Sequence, residues 1–316
     1  LKSFGACFGV SGGYERPMWF ALDGENAEYK YSYNYQSWYP SAEYETNNTL
    51  KNVGLFDLTP FSKFEIKSDK AHQELQKICT ANIKNETGKC VYTHMLNGDG
   101  GIETDLTVVC VDKNHFRIIS SAATRERDKF HINKHLPKNI ELKDITDDLC
   151  VFGLFGPKSR DLLKTLSEDN FENDQFRFGF AKFITIDGVK IWTQRLSYVG
   201  ELGYELYVDL KDTKKIYELL IEKGKDFNLS NCGMHAMDIM RMESGFLHWG
   251  HDISPEENQY QTGLSFTISN KKKIDFIGKA ALEKIGKEKI KTRFAMFTLK
   301  DSKPGEPLLL HDEPIY

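Results

Sequence analysis

Residues 96–109 read Leu-Asn-Gly-Asp-Gly-Gly-Ile-Glu-Thr-Asp-Leu-Thr-Val-Val. The pattern is a strand end, a tight turn and a second strand. Asn97-Gly98 followed by Asp99-Gly100-Gly101 supplies residues that tolerate the positive φ a hairpin turn needs. Beyond the turn, Ile102, Thr104, Leu106 and Val108 alternate with Glu103, Asp105, Thr107 and Val109. That period of two is the mark of a strand with one buried face. A chain built around such a hairpin is committed to antiparallel sheet. Asp105 leaves the turn early in the second strand, and a strand is stiff enough to hold a carboxylate where catalysis needs it. A solvated surface carboxylate fits the same residues.

The rest of the chain repeats the theme. Residues 49–66 read as strand-turn-strand, and residues 68–80 as a helix opened by Ser68 or Asp69, with Leu75 and Ile78 on one face. A strand is expected over 115–120 and a charged helix over 122–136, ended by Pro137. Residues 142–156 end in a strand, and a helix follows over 158–166. A second hairpin turns at Asp187-Gly188. Residues 197–208 read as a glycine-interrupted strand, and 214–227 and 232–245 as helices. Strands joined by hairpins in both halves, with helices between, give an α+β fold with antiparallel sheets. The N-terminal 48 residues are aromatic and show no clear period, so they read as a segment packed over other elements; Gly12-Gly13 is too little to mark a phosphate loop. A short helix is expected over 274–286, after the Lys271-Lys272-Lys273 run, which reads as a solvated turn. Residues 290–316 look strand-like, with turns at Pro304-Gly305 and Asp312-Glu313-Pro314. The expected organisation is therefore a lead-in over 1–48, one α+β unit over 49–140, a second over 141–273, and the start of a β-rich unit over 274–316. At 316 residues, two or three domains are the natural reading. The chain does not begin with Met, and either end reads as a cut.

A second chemical constellation spans residues 195–208, Arg-Leu-Ser-Tyr-Val-Gly-Glu-Leu-Gly-Tyr-Glu-Leu-Tyr-Val. Its glycines let a flat ligand approach the backbone. Glu201 and Glu205 stand four apart, on one strand face if no bulge intervenes. A carboxylate among aromatic rings suits a ligand edge with two parallel N–H donors, as a pterin or a guanine has. Two solvated glutamates are the alternative. A third constellation joins Asp238 and Arg241 to Asp252, which could position a ligand or form an internal ion pair. His248 and His251 lack a third metal-like partner, so no metal site is expected.

Composition narrows the function classes. A net charge of −4 and a pI near 6.2 give no reason to expect a nucleic-acid surface. No run approaches the ~20 apolar residues of a membrane span. The six cysteines form no C-x-x-C pair and sit among apolar neighbours, which reads as buried reduced thiols in a cytoplasmic-type compartment, or a mitochondrial matrix in a eukaryote.

Four motifs in order carry a resemblance: Gly-Gly-Ile-Glu-Thr-Asp-Leu-Thr-Val (100–108), Tyr-Val-Gly-Glu-Leu-Gly-Tyr-Glu-Leu (198–206), Asp-Ile-Met-Arg-Met-Glu-Ser-Gly-Phe (238–246) and Asp-Phe-Ile-Gly-Lys-Ala-Ala-Leu (275–282). Together they resemble the folate-binding aminomethyltransferases typified by the glycine cleavage T-protein. Tyr14-Glu15-Arg16-Pro17-Met18-Trp19-Phe20 resembles the lead-in to the folate domain of dimethylglycine and sarcosine dehydrogenases. Thr104-Asp105 in place of Asp-Asp, and Met237 in place of an Arg, favour that branch. The resemblance implies a T-protein-like fold with a ferredoxin-like second unit and the beginning of a C-terminal β-barrel. It implies that Asp105 is the catalytic carboxylate, Glu205 the pterin-gripping glutamate and Tyr198 a tyrosine of that pocket, with Glu201 in the motif in a less defined role. Met237 removes one folate contact of the T-protein.

The implied reaction places a formaldehyde-level carbon from an N-methyl amine, of the dimethylglycine or sarcosine type, on tetrahydrofolate, giving 5,10-methylenetetrahydrofolate. A fixed carboxylate such as Asp105 can take a proton from the attacking amine and stabilise a forming cation. The chain carries no Gly-x-Gly-x-x-Gly fingerprint, so any flavin (FAD) chemistry would belong to a separate or missing oxidase domain. A tetrahydrofolate-dependent demethylase and a non-catalytic folate-binding protein are the alternatives.

Overall fold

The hairpin at the heart of the sequence sits in a five-stranded sheet, and a second sheet of six strands lies against it. The computed structural model of the chain describes residues 1–300 and 303. The N-terminal part forms β1 (Ala6–Ser11), β2 (Tyr14–Phe20) and α1 (Tyr39–Lys51). Next come β3 (Val53–Asp57), β4 (Ser62–Lys67), α2 (Ala71–Ile78), β5 (Cys90–Leu96), β6 (Ile102–Asp112) and β7 (His115–Ser120). Then follow α3 (Arg125–His135), β8 (Leu142–Asp144), β9 (Leu149–Phe155), α4 (Ser159–Leu166), β10 (Ala181–Ile186), β11 (Val189–Gln194) and β12 (Gly203–Asp209). The series ends with α5 (Thr213–Gly224), β13 (Leu229–Cys232), α6 (Met234–Glu243) and α7 (Lys279–Ile285).

The smaller sheet has the order β5-β6-β7-β4-β8, and the larger β10-β11-β12-β9-β3-β13. Their pairings are antiparallel except that of β13 with β3. This is the α+β architecture the hairpins imply. The alternation in β6 decides the layers. Leu106, Val108 and Cys110 point into a core shared with Leu75 and Ile78 of α2 and Ile132 of α3. The outer face of the large sheet buries Phe152, Leu154 and Leu206 against Leu162 of α4 and Leu220 of α5. The inner faces meet each other: Cys90 and Val109 from one sheet pack with Phe56, Val151, Trp192 and Tyr207 from the other, and with Met237 and Met240 of α6. A carboxylate on either inner face therefore stands between two sheets.

Several local expectations shift. The N-terminal segment is a regular hairpin followed by a helix. Gly12 and Gly13, with φ of 62° and 82°, make its two-residue turn. The sequence hid the hairpin because Pro17 interrupts the alternation and the register slips at Cys7/Phe8. The helix expected over 68–80 is shorter, Ala71–Ile78. The strand expected over 197–208 begins only at Gly203; residues 195–202 leave the ladder as a loop. β3 precedes the small sheet in sequence but joins the large one, between β9 and β13. In the run expected to be strand-like over 290–316, residues 290–299 are irregular; its remainder, with the expected Pro304-Gly305 and Asp312-Glu313-Pro314 turns, lies outside the described residues apart from 303. No helix among the described residues is long and apolar enough to cross a membrane.

Candidate functional site

Asp105 lies on β6 opposite His94 of β5, on the face that looks toward the large sheet. The Tyr92 hydroxyl donates to its Oδ2 at 3.1 Å. Burial pushes the Asp105 carboxyl up to about 7; the Tyr92 hydrogen bond opposes the rise and the Asp128 charge adds to it. Asp128 stands behind the strand on α3, accepting hydrogen bonds from Thr124 (2.7 Å) and Thr104 (3.1 Å). Tyr92 is crowded by protein and yet 37% exposed, so solvent reaches the side chain that binds Asp105.

Glu205 faces this surface from β12, where its register partners are Gln194 and Gly153. The Tyr207 hydroxyl, two residues along on the same face, donates to Glu205 Oε2 at 2.9 Å. Burial again raises the carboxyl to about 7, with the Tyr207 bond holding it down. The Arg117 guanidinium sits 5.7 Å from the Tyr207 ring, and Arg117 is itself paired with Glu65 at 2.8 Å. Cys90 feels the Glu205 charge after that of its own burial. Cys90 and Tyr92 share a face of β5 two residues apart, so roughly 7 Å of strand separates the neighbour of one carboxylate from the neighbour of the other.

The loop over 195–202 contributes Tyr198. Its hydroxyl donates to Leu247 O at 2.9 Å, and its ring stacks with Phe246 at 6.0 Å and 17°. Burial raises the Tyr198 hydroxyl, with Arg241 pulling the other way and Asp105 among the charges that add to the rise. The loop over 245–253 that holds Phe246 and Leu247 is pinned by Arg241, which is 3% exposed. Arg241 binds Asp238 at 2.7 Å, Phe246 O at 3.2 Å, and the Asp252 carboxylate, which also takes the His248 N–H at 2.8 Å. The Asp238–Arg241–Asp252 constellation is thus an ion-pair clamp that holds the 245–253 loop to α6. Met237 is 3% exposed within the inter-sheet core. The expectation that Glu201 shares a strand face with Glu205 is corrected: Glu201 lies in the loop, before β12 begins, so strand alternation does not apply to it.

The hairpin turn is locked against the segment at 254–257. Gly100 has φ of 87°, and the Asn97 side chain accepts the backbone N–H groups of Asp99 and Gly101. A Cβ on Gly101 would lie 1.8 Å from Pro255 O. The Ile102 N–H bonds Glu257 O at 2.8 Å, and Trp249 Nε1 donates to Ile102 O at 2.9 Å. This fixes the strand three residues before Asp105. Asp105, Glu205 and Tyr198 are the candidates the sequence singles out; Tyr92, His94, Tyr207 and Phe246, which pack around them, carry no local signal that would single them out. Among the described residues no group of three His, Cys, Asp or Glu side chains forms a metal cluster, and all six cysteines are buried and unpaired.

Two carboxylates poised near neutrality, one on each facing sheet and each touched by one tyrosine hydroxyl, can divide their labour. One can exchange a proton while the other grips N–H donors.

Comparisons with known proteins agree with this architecture. The chain is 36% identical over its whole length to 4-methylaminobutanoate oxidase (formaldehyde-forming) of Paenarthrobacter nicotinovorans, and spans 38% of that protein. It is 32% identical to mitochondrial dimethylglycine dehydrogenase of Rattus norvegicus, over 92% of this chain and 34% of the relative. Aminomethyltransferase of Halothermothrix orenii is 31% identical over 86% of this chain and 74% of the relative. The glycine cleavage system aminomethyltransferase T of Bartonella henselae has the same fold, with a TM-score of 0.76 at 20% identity over 91% of this chain and 73% of that one. The GCVT N-terminal domain profile matches residues 1–272, and the chain belongs to that family, as an enzyme's aminomethyltransferase-like domain.

Proposed function

We propose that this domain places a formaldehyde-level carbon, derived from an N-methyl amine of the dimethylglycine or sarcosine type, on tetrahydrofolate to give 5,10-methylenetetrahydrofolate. The observation that carries the reading is the pair of half-buried carboxylates, Asp105 and Glu205, on facing sheets, each accepting a hydrogen bond from a tyrosine hydroxyl. The residues fit the pterin. Glu205 Oε2 already accepts from Tyr207, and Oε1 has no hydrogen-bond partner among the described residues, so an acceptor is left for a donor edge. Tyr198 and Phe246 offer a flat aromatic wall.

Bound tetrahydrofolate supplies the nucleophilic nitrogens N5 and N10. Asp105 takes the proton lost by the attacking nitrogen and returns it to the departing amine. A carboxyl near 7 suits both directions, since proton transfer is most effective when the pKa lies near the working pH. Glu205 holds the pterin edge, and Tyr198 lines the pocket. Names among the relatives support the amine class: one is an oxidase of 4-methylaminobutanoate and another a dehydrogenase of dimethylglycine. Amine oxidation itself is assigned to a flavin partner domain or subunit.

The test is calorimetric titration of tetrahydrofolate into wild type, Glu205→Gln and Asp105→Asn, followed by single-turnover assays with formaldehyde. Glu205→Gln is expected to weaken binding by about 10- to 100-fold, the worth of a hydrogen bond to a charged group. Asp105→Asn is expected to keep binding and lose turnover. Binding without turnover in wild type would point to a folate-binding protein instead, and no binding to the folded chain would remove the folate reading.

A further inference from the structure

Asp128 stands on the far side of the strand that carries Asp105. It is 1% exposed and lies on α3, where the helix packs against the back of β6. Leu106 and Ile132 belong there to the apolar core shared by the small sheet, α2 and α3. The Asp128 oxygens accept from neutral hydroxyls, Oδ1 from Thr104 at 3.1 Å and Oδ2 from Thr124 at 2.7 Å. Among the described residues no cation forms an ion pair with it. Arg127, next to it on the helix, binds Glu103 at 2.7 Å instead and lies over the Trp249 ring at 4.8 Å.

A buried carboxylate without a cation is costly. The hydroxyls that latch α3 to β6 need only an acceptor, and a neutral amide would serve them too. What the charge adds beyond the latch is a field, and Asp105 lies in it. Thr104 and Asp105 are consecutive on β6 and point to opposite faces. The 3.1 Å hydrogen bond, the strand and two short side chains put the carboxylates on the order of 8–10 Å apart. Thr104 is 1% exposed and Leu106 2%, so protein fills the space between them. Like charges so separated repel far more strongly through protein than through water. Burial raises Asp128 to about 6 against the pull of its hydroxyl partners, so it is ionised at the pH where Asp105 exchanges its proton.

We infer that Asp128 is a positioning residue: its unpaired charge, fixed behind β6 by Thr104 and Thr124, makes Asp105 hold the proton it takes until it returns that proton to the departing amine. The inference rests on the assignment of Asp105 as the proton carrier of the proposed reaction. The titratable groups that face Asp105 are Tyr92 and His94 on β5, Tyr198 from the loop before β12, and Asp128 on α3. Tyr92 donates to Asp105, burial keeps His94 neutral, and Asp128 is the negative charge among them. Around Asp128 stand the hydroxyls of Thr104, Ser120 and Thr124, with Arg127 on its own helix.

The experiment titrates the Asp105 carboxyl by carbon-13 NMR in the ligand-free chain, in wild type and in Asp128→Asn. The pH profile of kcat is measured beside it with tetrahydrofolate and formaldehyde. Asp128→Asn keeps an acceptor for the latch and removes the charge. It is expected to move the carboxyl midpoint and the acid limb of kcat downward together by about half to one pH unit, the scale of one like charge at this separation. KM for tetrahydrofolate should stay within about twofold, because Asp128 acts through Asp105 and not on the ligand. A folded Asp128→Asn protein that titrates at the wild-type position overturns the inference and leaves Asp128 a latch alone. If Asp128→Asn does not fold, Asp105→Asn decides, because coupling between two sites is reciprocal. The Asp128 midpoint should then fall by the same amount, and an unmoved midpoint overturns the inference. Failure of the proposed reaction is distinct: the midpoints move as expected, yet wild type never turns over tetrahydrofolate.

Discussion

Burial raises the Asp105 carboxyl to about 7, whereas an unfolded chain ionises near 3.9. Between those values the folded protein holds a proton that the unfolded one has released. The cost is absent below about pH 4, grows as pH rises, and is complete above about pH 7. Asp105→Asn removes the charge while keeping the shape. The variant should therefore melt at a higher temperature than wild type at pH 8, and the two should converge only as pH falls to about 4. Calorimetric melts across that range check the sign, and a variant equally stable at every pH would show that Asp105 is better solvated than its surroundings imply. At this scale the sequence was partly legible. Strand periodicity exposed Asp105 because the turn and the strand are local. Its partner His94 was harder to find, since the register slips at Met95/Leu96 and counting straight back from the turn places Thr104, not Asp105, opposite His94. Glu205 was visible as a carboxylate among aromatics, but nothing local announced that Tyr207 would donate to it.

The hairpin of β5 and β6 is an element held at its tip. Its turn meets Pro255 so closely that no side chain fits at Gly101, whereas Gly98 has open space around it. Gly101→Ala should cost about 1–3 kcal/mol in urea unfolding, the usual range for forcing a methyl into packed surroundings. Gly98→Ala should cost less than half as much. The Gly101 change should also lower turnover, because the strand that carries Asp105 begins at the displaced contact. Equal costs for the two alanines would mean that the segment at 254–257 yields freely. The turn itself was legible from its glycines and Asn97. Its docking was not, because Pro255 lies some 150 residues along the chain and shares no pattern with it.

Across the whole molecule, the N-terminal hairpin and α1 are part of the body. Glu45 of α1 is 1% exposed and accepts the backbone N–H groups of Phe20 at 2.6 Å and Gly233 at 2.7 Å. It ties β2 to the start of α6, while Trp19 is buried at 1%. Removing residues 1–48 would take Glu45 away, strand the buried Gly233 N–H and expose the flank of the large sheet. The shortened chain should show no cooperative thermal transition and should be cut rapidly by protease, whereas the full chain should melt as one unit. A truncated chain with a sharp transition near that of the full chain would show the segment to be an appendage. The α+β class was legible from hairpins and alternating patterns. The sharing of strands between the two sheets was not, since it depends on which distant partners β3 finds.

The placement of β3 bears on synthesis. Its neighbours are β9 and β13, and β13 is made about 170 residues later, roughly 10–30 s at 5–20 residues per second. Until β9 emerges, about 95 residues after β3, Val53, Leu55 and Phe56 have no sheet to join, and one edge of β3 stays open until β13 follows. The small sheet can close in the meantime, since its strands all lie between β3 and β9. The nascent chain thus spends its translation half-built, with one apolar strand waiting at the door, and its yield in a cell depends on what shields that strand until the last partner arrives.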